Sequence, residues 1–426
     1  MNIFQQLIPS LQRVNWVSFV SRKPVTQKEA MNIEQLCKLT IESDGEYTSL
    51  LLSERVLNAY ERLDWEQKLM FFDFLLADYD INIDNLIRAV GAYTIEPSTK
   101  HLEQVTTEAE PNRQELFRRL NFGHKATPRL VKMRQDLLRA SSQKSEYKKI
   151  DADFKHLFNS WFNRGFLLMQ PIDWQTPDHI LVKIIAYEAV HEIKNWIKLR
   201  QRLEPADRCC YAFFHPSMPD DPLVFVEVAL TNNVPRKIDE ILCDNRNEAD
   251  PMKAKCAIFY SISNCHKGLA GISFGNFLIK QVAIHLQKEL PQLQSFATIS
   301  PAPGFNQWLQ KQTEYDSIKR RLQQQVDHPL DLIEQKQLIG IAAKYYLQEK
   351  TPNNRPIDPV ARFHLKNGAT LNRINPMADL SDNGLKHSMG LMVNYYYDLS
   401  EVEINHELYV NQGEVVCHKK ISQLLN

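Results

Sequence analysis

The chain has 426 residues, 43% of them hydrophobic and 24% charged, the balance of a soluble globular protein long enough for two or three domains. Lys+Arg and Asp+Glu stand at 51 each, giving a formal net charge of zero, so the overall field attracts neither nucleic acid nor an acidic membrane. The seven cysteines (Cys37, Cys209, Cys210, Cys243, Cys256, Cys265 and Cys417) are odd in number and form no C-x-x-C pair, which points to free thiols in a reducing compartment rather than structural zinc.

The N-terminal MNIFQQLIPSLQRVNW is interrupted by polar residues and lacks the apolar core of a signal peptide. The most apolar helical run, LMFFDFLLA (69–77), is broken by Asp73 and is too short to span a bilayer. The C-terminal QLLN carries no retention or lipidation signal. A cytoplasmic location is expected. Residues 1–155 read as an all-α domain for assembly or support. Asp64 and Gln67 have capping-box spacing, and Phe71, Phe74 and Leu75 follow at helical intervals. Segments 53–63 and 112–122 are amphipathic; 97–112 reads as a polar loop, and 141–149 as a solvated helix or linker.

From residue 156 to 426 the character is that of a sheet domain. YEAVHEIKNWIKLRQRL (187–203) reads as one amphipathic helix. CCYAFFH (209–215) and PLVFVEVAL (222–230), joined by a turn, predict an antiparallel hairpin, and KCAIFYSIS (255–263) a third strand. NCHKGLAGISFG (264–275) is a Gly-bearing loop, NFLIKQVAIHLQKEL (276–290) a helix, and LQSFATIS (293–300) the next strand. Strand, loop, helix and strand make a βαβ unit with parallel strands, whose ligands bind beyond the carboxyl ends. Residues 306–352 read as charged helices forming an insertion, 360–379 as strand and loop, and 390–399 as a strand. The fold class is α+β: a helical bundle, then a mixed sheet.

Two features meet at the carboxyl ends of the parallel pair. The loop's Gly268, Ala270, Gly271 and Gly275 allow close backbone approach at a helix N-terminus, which suits a pyrophosphate; a plain strand-to-helix connection is the alternative. Its G-I-S-F-G also matches a nucleophile elbow, but about seven loop residues separate Ser263 from Gly271, whereas that elbow follows its strand directly. The second feature is Ser300. Pro301 follows it and has no N–H to supply an oxyanion hole, so Ser300 reads as a hydrogen-bonding group or a strand-ending hydroxyl, not a covalent nucleophile. His364 lies beside a Lys-Asn-Gly turn and is compatible with a structural role. His191 lacks the second histidine of H-E-x-x-H. NYYY (394–397) reads as a strand with aromatics partly in the core.

Together these segments resemble malonyl-CoA decarboxylases. The matching pieces are FKHLFNSWFNRGFL (154–167), EAVHEIKNW (188–196), FYSIS (259–263), GLAGISFGNFLIK (268–280), ISPAPGF (299–305), DPVARFHLKNGA (358–369), RINPMAD (373–379) and GLMVNYYY (390–397), in order over most of residues 150–400. The resemblance implies a helical N-terminal domain and an acetyltransferase-like (GNAT) catalytic domain. It implies that Ala270, Gly271, Ile272, Ser273, Phe274, Gly275 and Asn276 form the acyl-CoA loop, that Ser300 and His364 are catalytic and also contact substrate, and that Tyr397 supports them. Ser273 stands where a glutamate can occur in the family, so no carboxylate supports the serine from that position.

The implied reaction converts malonyl-CoA to acetyl-CoA and CO2. The electron pair released with CO2 enters the thioester carbonyl, so the substrate is its own electron sink and no metal or organic cofactor is expected. The enzyme must orient the carboxylate, stabilise the enolate oxygen and protonate the α-carbon. A homo-oligomer, dimer or tetramer, assembled through the helical domain is expected. An acyltransferase using an amine acceptor and a non-catalytic malonyl-CoA-binding protein are the alternatives.

Overall fold

The computed structural model describes residues 32–272, 278–324 and 327–425; the N-terminal stretch read against a signal peptide lies outside them. The chain divides into two units, one formed by Met1–Leu130 with Asp136–Asp153, the other by Val131–Gln135 with Phe154–Asn426. In the first unit the helix Trp65–Asp78 starts at the expected capping box: Asp64 accepts from the Gln67 N–H, and the Gln67 side chain accepts from the Asp64 N–H. It buries Phe71, Phe72 and Leu75. The expected loop at 97–112 is instead a helix, Thr99–Glu108, capped by Ser98 and with no buried residue. A wholly solvated helix leaves no apolar stripe to read, so its polarity mimics that of a loop.

Among its described residues the second unit holds eight strands: β1 Leu168–Pro171, β2 Arg208–Phe214, β3 Val224–Thr231, β4 Cys256–Asn264, β5 Ser295–Thr298, β6 Ser300–Pro301, β7 Thr370–Asn375 and β8 Met392–Tyr397. They form one mixed sheet in the order β1-β2-β3-β4-β5-β8-β6, with β7 on β8. β2, β3 and β4 are antiparallel, as the hairpin pattern requires, and β4 pairs parallel with β5. The crossover is the helix Leu278–Glu289, which buries Val282, Ala283 and Leu286. An antiparallel arm leading into a parallel pair is the sheet expected from the GNAT resemblance. The short edge strand β1 was not anticipated.

Two readings need correction. Residues 187–203 are not one helix: Asp178–Tyr187 ends, and Trp196–Leu203 begins at the Asn195 cap. The break is made by Glu188. Its Oε1 accepts from the N–H groups of Val190 (2.8 Å) and His191 (2.7 Å), and its Oε2 accepts from the hydroxyls of Ser261 (2.7 Å) and Ser263 (3.2 Å). A carboxylate bonded to the following backbone diverts those N–H groups from helix bonds. Likewise, 360–379 is not only strand and loop. Pro359–Lys366 is a helix with Asp358 as N-cap and proline in its first turn, and β7 follows it. Asp-Pro is a helix-start signal, masked here by Val360 and Phe363, which favour strands.

The registers show where the sheet opens. β4 and β5 pair from Cys256↔Ser295 to Phe259↔Thr298, with a last bond from the Ile299 N–H to the Phe259 carbonyl (3.2 Å). Beyond that point β4 continues to Asn264 beside β3 alone, while Ser300 and Pro301 pair with Val393 and Met392 of β8. The chain at Ser300 therefore changes partner, and a wedge opens between β4 and β6.

Candidate active site

Three elements bring the predicted catalytic residues together. Ser300 comes from β6, His364 from the helix Pro359–Lys366 and Tyr397 from the end of β8, and all three are buried. The Ser300 hydroxyl lies 3.0 Å from His364 Nε2, and His364 Nδ1 lies 2.8 Å from the Tyr397 hydroxyl. Ser300 also donates to the Thr298 hydroxyl (2.9 Å), which accepts in addition from the Tyr395 N–H (3.2 Å). The Tyr395 ring stacks on the imidazole at a centroid distance of 4.5 Å and an angle of 25°. The result is one continuous line of polar atoms between aromatic walls.

Burial sets the charge state of this line. It pushes His364 from 6.5 down to about 3, so the resting imidazole is neutral throughout the physiological range. Burial also raises Tyr397 well above its ordinary value, which keeps the phenol protonated. Asp358 fixes the helix that carries His364. Its carboxylate accepts from the Ala361 N–H (2.8 Å) and from the Tyr345 hydroxyl (3.0 Å) while fully buried. Burial holds the Asp358 carboxyl above its ordinary value, and the backbone N–H and Tyr345 bonds offset only part of that rise.

The Gly loop follows β4 at the same edge of the sheet. Gly268 is a close-approach glycine: a Cβ there would lie 1.9 Å from the Val131 carbonyl oxygen. Gly271 adopts φ +75°, a left-handed conformation suited to glycine. Arg134, with no exposed surface, donates from Nη1 to the Gly268 carbonyl (2.6 Å) and from Nη2 to the Ala270 carbonyl (2.8 Å). Ala270 and Gly271 are exposed and Ile272 is buried. Ser273, Phe274, Gly275 and Asn276 lie outside the described residues.

A backbone-presenting loop thus follows β4, and a neutral serine–histidine–tyrosine line stands where β6 leaves it. Comparison with known proteins gives the family. Residues 165–426 match the malonyl-CoA decarboxylase C-terminal domain, and residues 79–162 match the N-terminal domain of the same family. The chain belongs to the malonyl-CoA decarboxylase family. It is similar to the mitochondrial malonyl-CoA decarboxylase of Rattus norvegicus, with 36% identity over 333 residues covering 70% of this chain and 67% of that protein. The Anser anser anser enzyme of the same name is 33% identical over 348 residues, covering 73% and 69%. Among solved structures, the malonyl-CoA decarboxylase of Rhodopseudomonas palustris shares 44% identity at a TM-score of 0.86, covering 92% of this chain and all of that one. The Agrobacterium vitis malonyl-CoA decarboxylase matches at the same identity and TM-score, covering 92% and 99%.

The structure also identifies residues that sequence reasoning passed over. Thr298 stands two residues before Ser300, and strand alternation alone puts both hydroxyls on one face. Arg134 lies in the stretch read as an all-α domain for assembly or support. Its signal was an arginine at helical spacing from Leu130 and Leu137, on a stripe that is otherwise apolar. Asp358 was visible as the first residue of an Asp-Pro pair, but no local pattern announced Tyr345 as its partner.

Proposed function

We propose that this carboxy-lyase converts malonyl-CoA to acetyl-CoA and CO2 with Ser300 and His364 as the groups that touch substrate and Tyr397 as support for His364. The observation that carries the reading is the unbroken hydrogen-bonded line from Ser300 through the ring of His364 to Tyr397. The acyl-CoA pyrophosphate is held by the backbone of the loop Ala270 to Asn276, whose start Arg134 secures. When the bond between the carboxylate carbon and the α-carbon breaks, the electron pair moves onto the thioester oxygen. A neutral imidazole N–H, turned from Ser300 onto that oxygen when substrate is bound, stabilises the enolate as it forms, with no charge to desolvate. Ser300 contacts the malonyl carboxylate or the thioester oxygen.

Protonation of the α-carbon completes the reaction. The thioester enolate is basic enough to take a proton from a neutral hydroxyl or imidazole, so His364 serves as donor without first becoming a cation. Turnover consumes one proton, which solvent returns to the line. Since the thioester accepts the electron pair, neither a metal nor an organic cofactor is required, and CoA enters only as part of substrate and product. Assembly as a dimer or tetramer through the helical unit is supported by its exposed Ile83, Ile87, Val90 and Ile95. Among the described residues no helix is long and apolar enough to cross a membrane. A cytoplasmic location rests on the cysteine pattern alone, while the similar Rattus norvegicus and Anser anser anser proteins are mitochondrial.

The test is release of labelled CO2 from malonyl-CoA by the purified protein without added metal, with free malonate as control. Ser300→Ala and His364→Ala should each lower kcat at least about 100-fold while circular dichroism and melting remain those of a folded protein. Normal turnover in both variants, or acyl transfer to an amine without CO2 release, overturns the reading.

A further inference from the structure

We infer that Thr298 is a positioning residue for the decarboxylation: it fixes the direction of every proton in the Ser300–His364–Tyr397 line and so holds His364 as a donor. The inference rests on the reading of Ser300 and His364 as the reacting pair.

The argument begins at the end of the line away from Tyr397. Thr298 has no exposed surface, and its hydroxyl oxygen accepts from the fixed Tyr395 N–H at 3.2 Å. Its second accepting position is taken by the Ser300 hydroxyl, which reaches it at 2.9 Å in the orientation of a donor. Once Ser300 has committed its one proton to Thr298, its oxygen can only accept from His364 Nε2, 3.0 Å away. His364 therefore carries its proton on Nε2, and the bare Nδ1 accepts from the Tyr397 hydroxyl at 2.8 Å. The imidazole cannot satisfy both neighbours by taking a second proton, because burial disfavours the cation.

The opposite polarity has the same heavy-atom distances and different chemistry. With the Ser300 proton turned toward Nε2, His364 would be a base beside a hydroxyl, the arrangement that activates a nucleophile. Nε2 would then have no proton to offer a thioester oxygen. Thr298 biases the choice because turning Ser300 away would empty the second accepting position of its buried oxygen, leaving only the bond from the Tyr395 N–H, and unmet hydrogen-bonding capacity in a dry site carries a cost. Tyr397 pushes from the other end. Thr298 thus separates a decarboxylase from a hydrolase-like Ser–His pair while standing two residues before the reacting serine. The titratable groups around the ring are the phenols of Tyr395 and Tyr397; both are raised by burial and stay neutral together with it.

The experiment uses full-length protein labelled with 15N-histidine and free of ligand, with the His364 signals assigned by their loss in His364→Asn. In the wild type, His364 should show a protonated Nε2 and a bare Nδ1. Thr298→Val keeps shape and removes the acceptor; it should move the proton to Nδ1 and lower kcat about 10- to 100-fold, with KM changed less than about twofold. Thr298→Ser restores the acceptor and should return both the tautomer and most of kcat. A wild-type ring protonated on Nδ1 overturns the inference, as does a Thr298→Val protein with unchanged tautomer and kcat. If Thr298→Val does not fold, the wild-type and Thr298→Ser tautomers still decide. The tautomer is read without substrate, so a failure here is distinct from a failure of the catalytic pair, which the Ser300 and His364 variants report.

Discussion

Substituting Gly268 with alanine tests how the start of the acyl-CoA loop is held. The added Cβ would sit 1.9 Å from the Val131 carbonyl oxygen, 2.8 Å from its carbonyl carbon and 3.0 Å from Val131 Cγ1. Two of these atoms are helix backbone, so no side-chain rotation relieves the clash, and the loop must withdraw by about 1.5 Å to reach ordinary contact. That movement carries the Gly268 carbonyl away from Arg134 Nη1, now at 2.6 Å, and strains the Ala270 carbonyl at Nη2, now at 2.8 Å. Overpacking costs about 1–3 kcal/mol, and weakening a buried charge-assisted bond adds about 1.5–3 kcal/mol. A loss of about 3 kcal/mol corresponds to a melting temperature lower by roughly 6–12 °C for a unit of this size. Because the displaced backbone is the proposed pyrophosphate seat, KM for malonyl-CoA should rise about tenfold or more with a smaller change in kcat. Initial rates of CO2 release against malonyl-CoA concentration, with a thermal melt of the same sample, measure both. An unchanged KM together with an unchanged melt would refute the packing argument and the loop assignment.

Stability should depend on pH through His364. The folded value is about 3 against 6.5 for the free side chain, so the unfolded chain binds the extra proton between those values. This group's contribution is complete above about pH 6.5 and falls by up to ~1.4 kcal/mol per unit as the pH drops toward 3. Urea melts at pH 7 and pH 5 should therefore show wild type losing about 2 kcal/mol more than His364→Asn over that interval; equal losses in the two proteins refute burial of the neutral ring. Asp358→Ala removes the N-cap of the His364 helix and the acceptor of the Tyr345 hydroxyl, and should cost about 2–3 kcal/mol by denaturant melt with a fall in kcat. Asp358→Asn, which retains one accepting oxygen, should lose about half as much.

Local patterns carried much of this protein. The box at Asp64 and Gln67 announced its helix, the apolar runs announced β2, β3 and β4, and strand–loop–helix–strand order announced a crossover and its parallel pair. They placed Ser300 at the sheet's opening edge and, through Pro301, argued against a covalent role for it. These are short-range facts, encoded in the periodicity and turn chemistry of a few neighbouring residues. The misread stretches failed for a related reason. Thr99–Glu108 has no buried face to leave a stripe, and the break after Tyr187 depends on Glu188 reaching Ser261 and Ser263, far along the chain.

Motif likeness named Ser300, His364 and Tyr397, but only the tertiary structure made them one line. Ser300 meets His364 because β6 leaves β4 for β8 while a capped helix delivers the imidazole from 64 residues away. The neutrality of that imidazole is likewise tertiary, since it sums desolvation by side chains that no window of sequence contains. The same holds for Arg134 on the carbonyls of Gly268 and Ala270, a contact across 134 and 136 residues. Residue identity and spacing determined which groups were available; burial and register decided which of them meet, which way their protons point and what charge they carry.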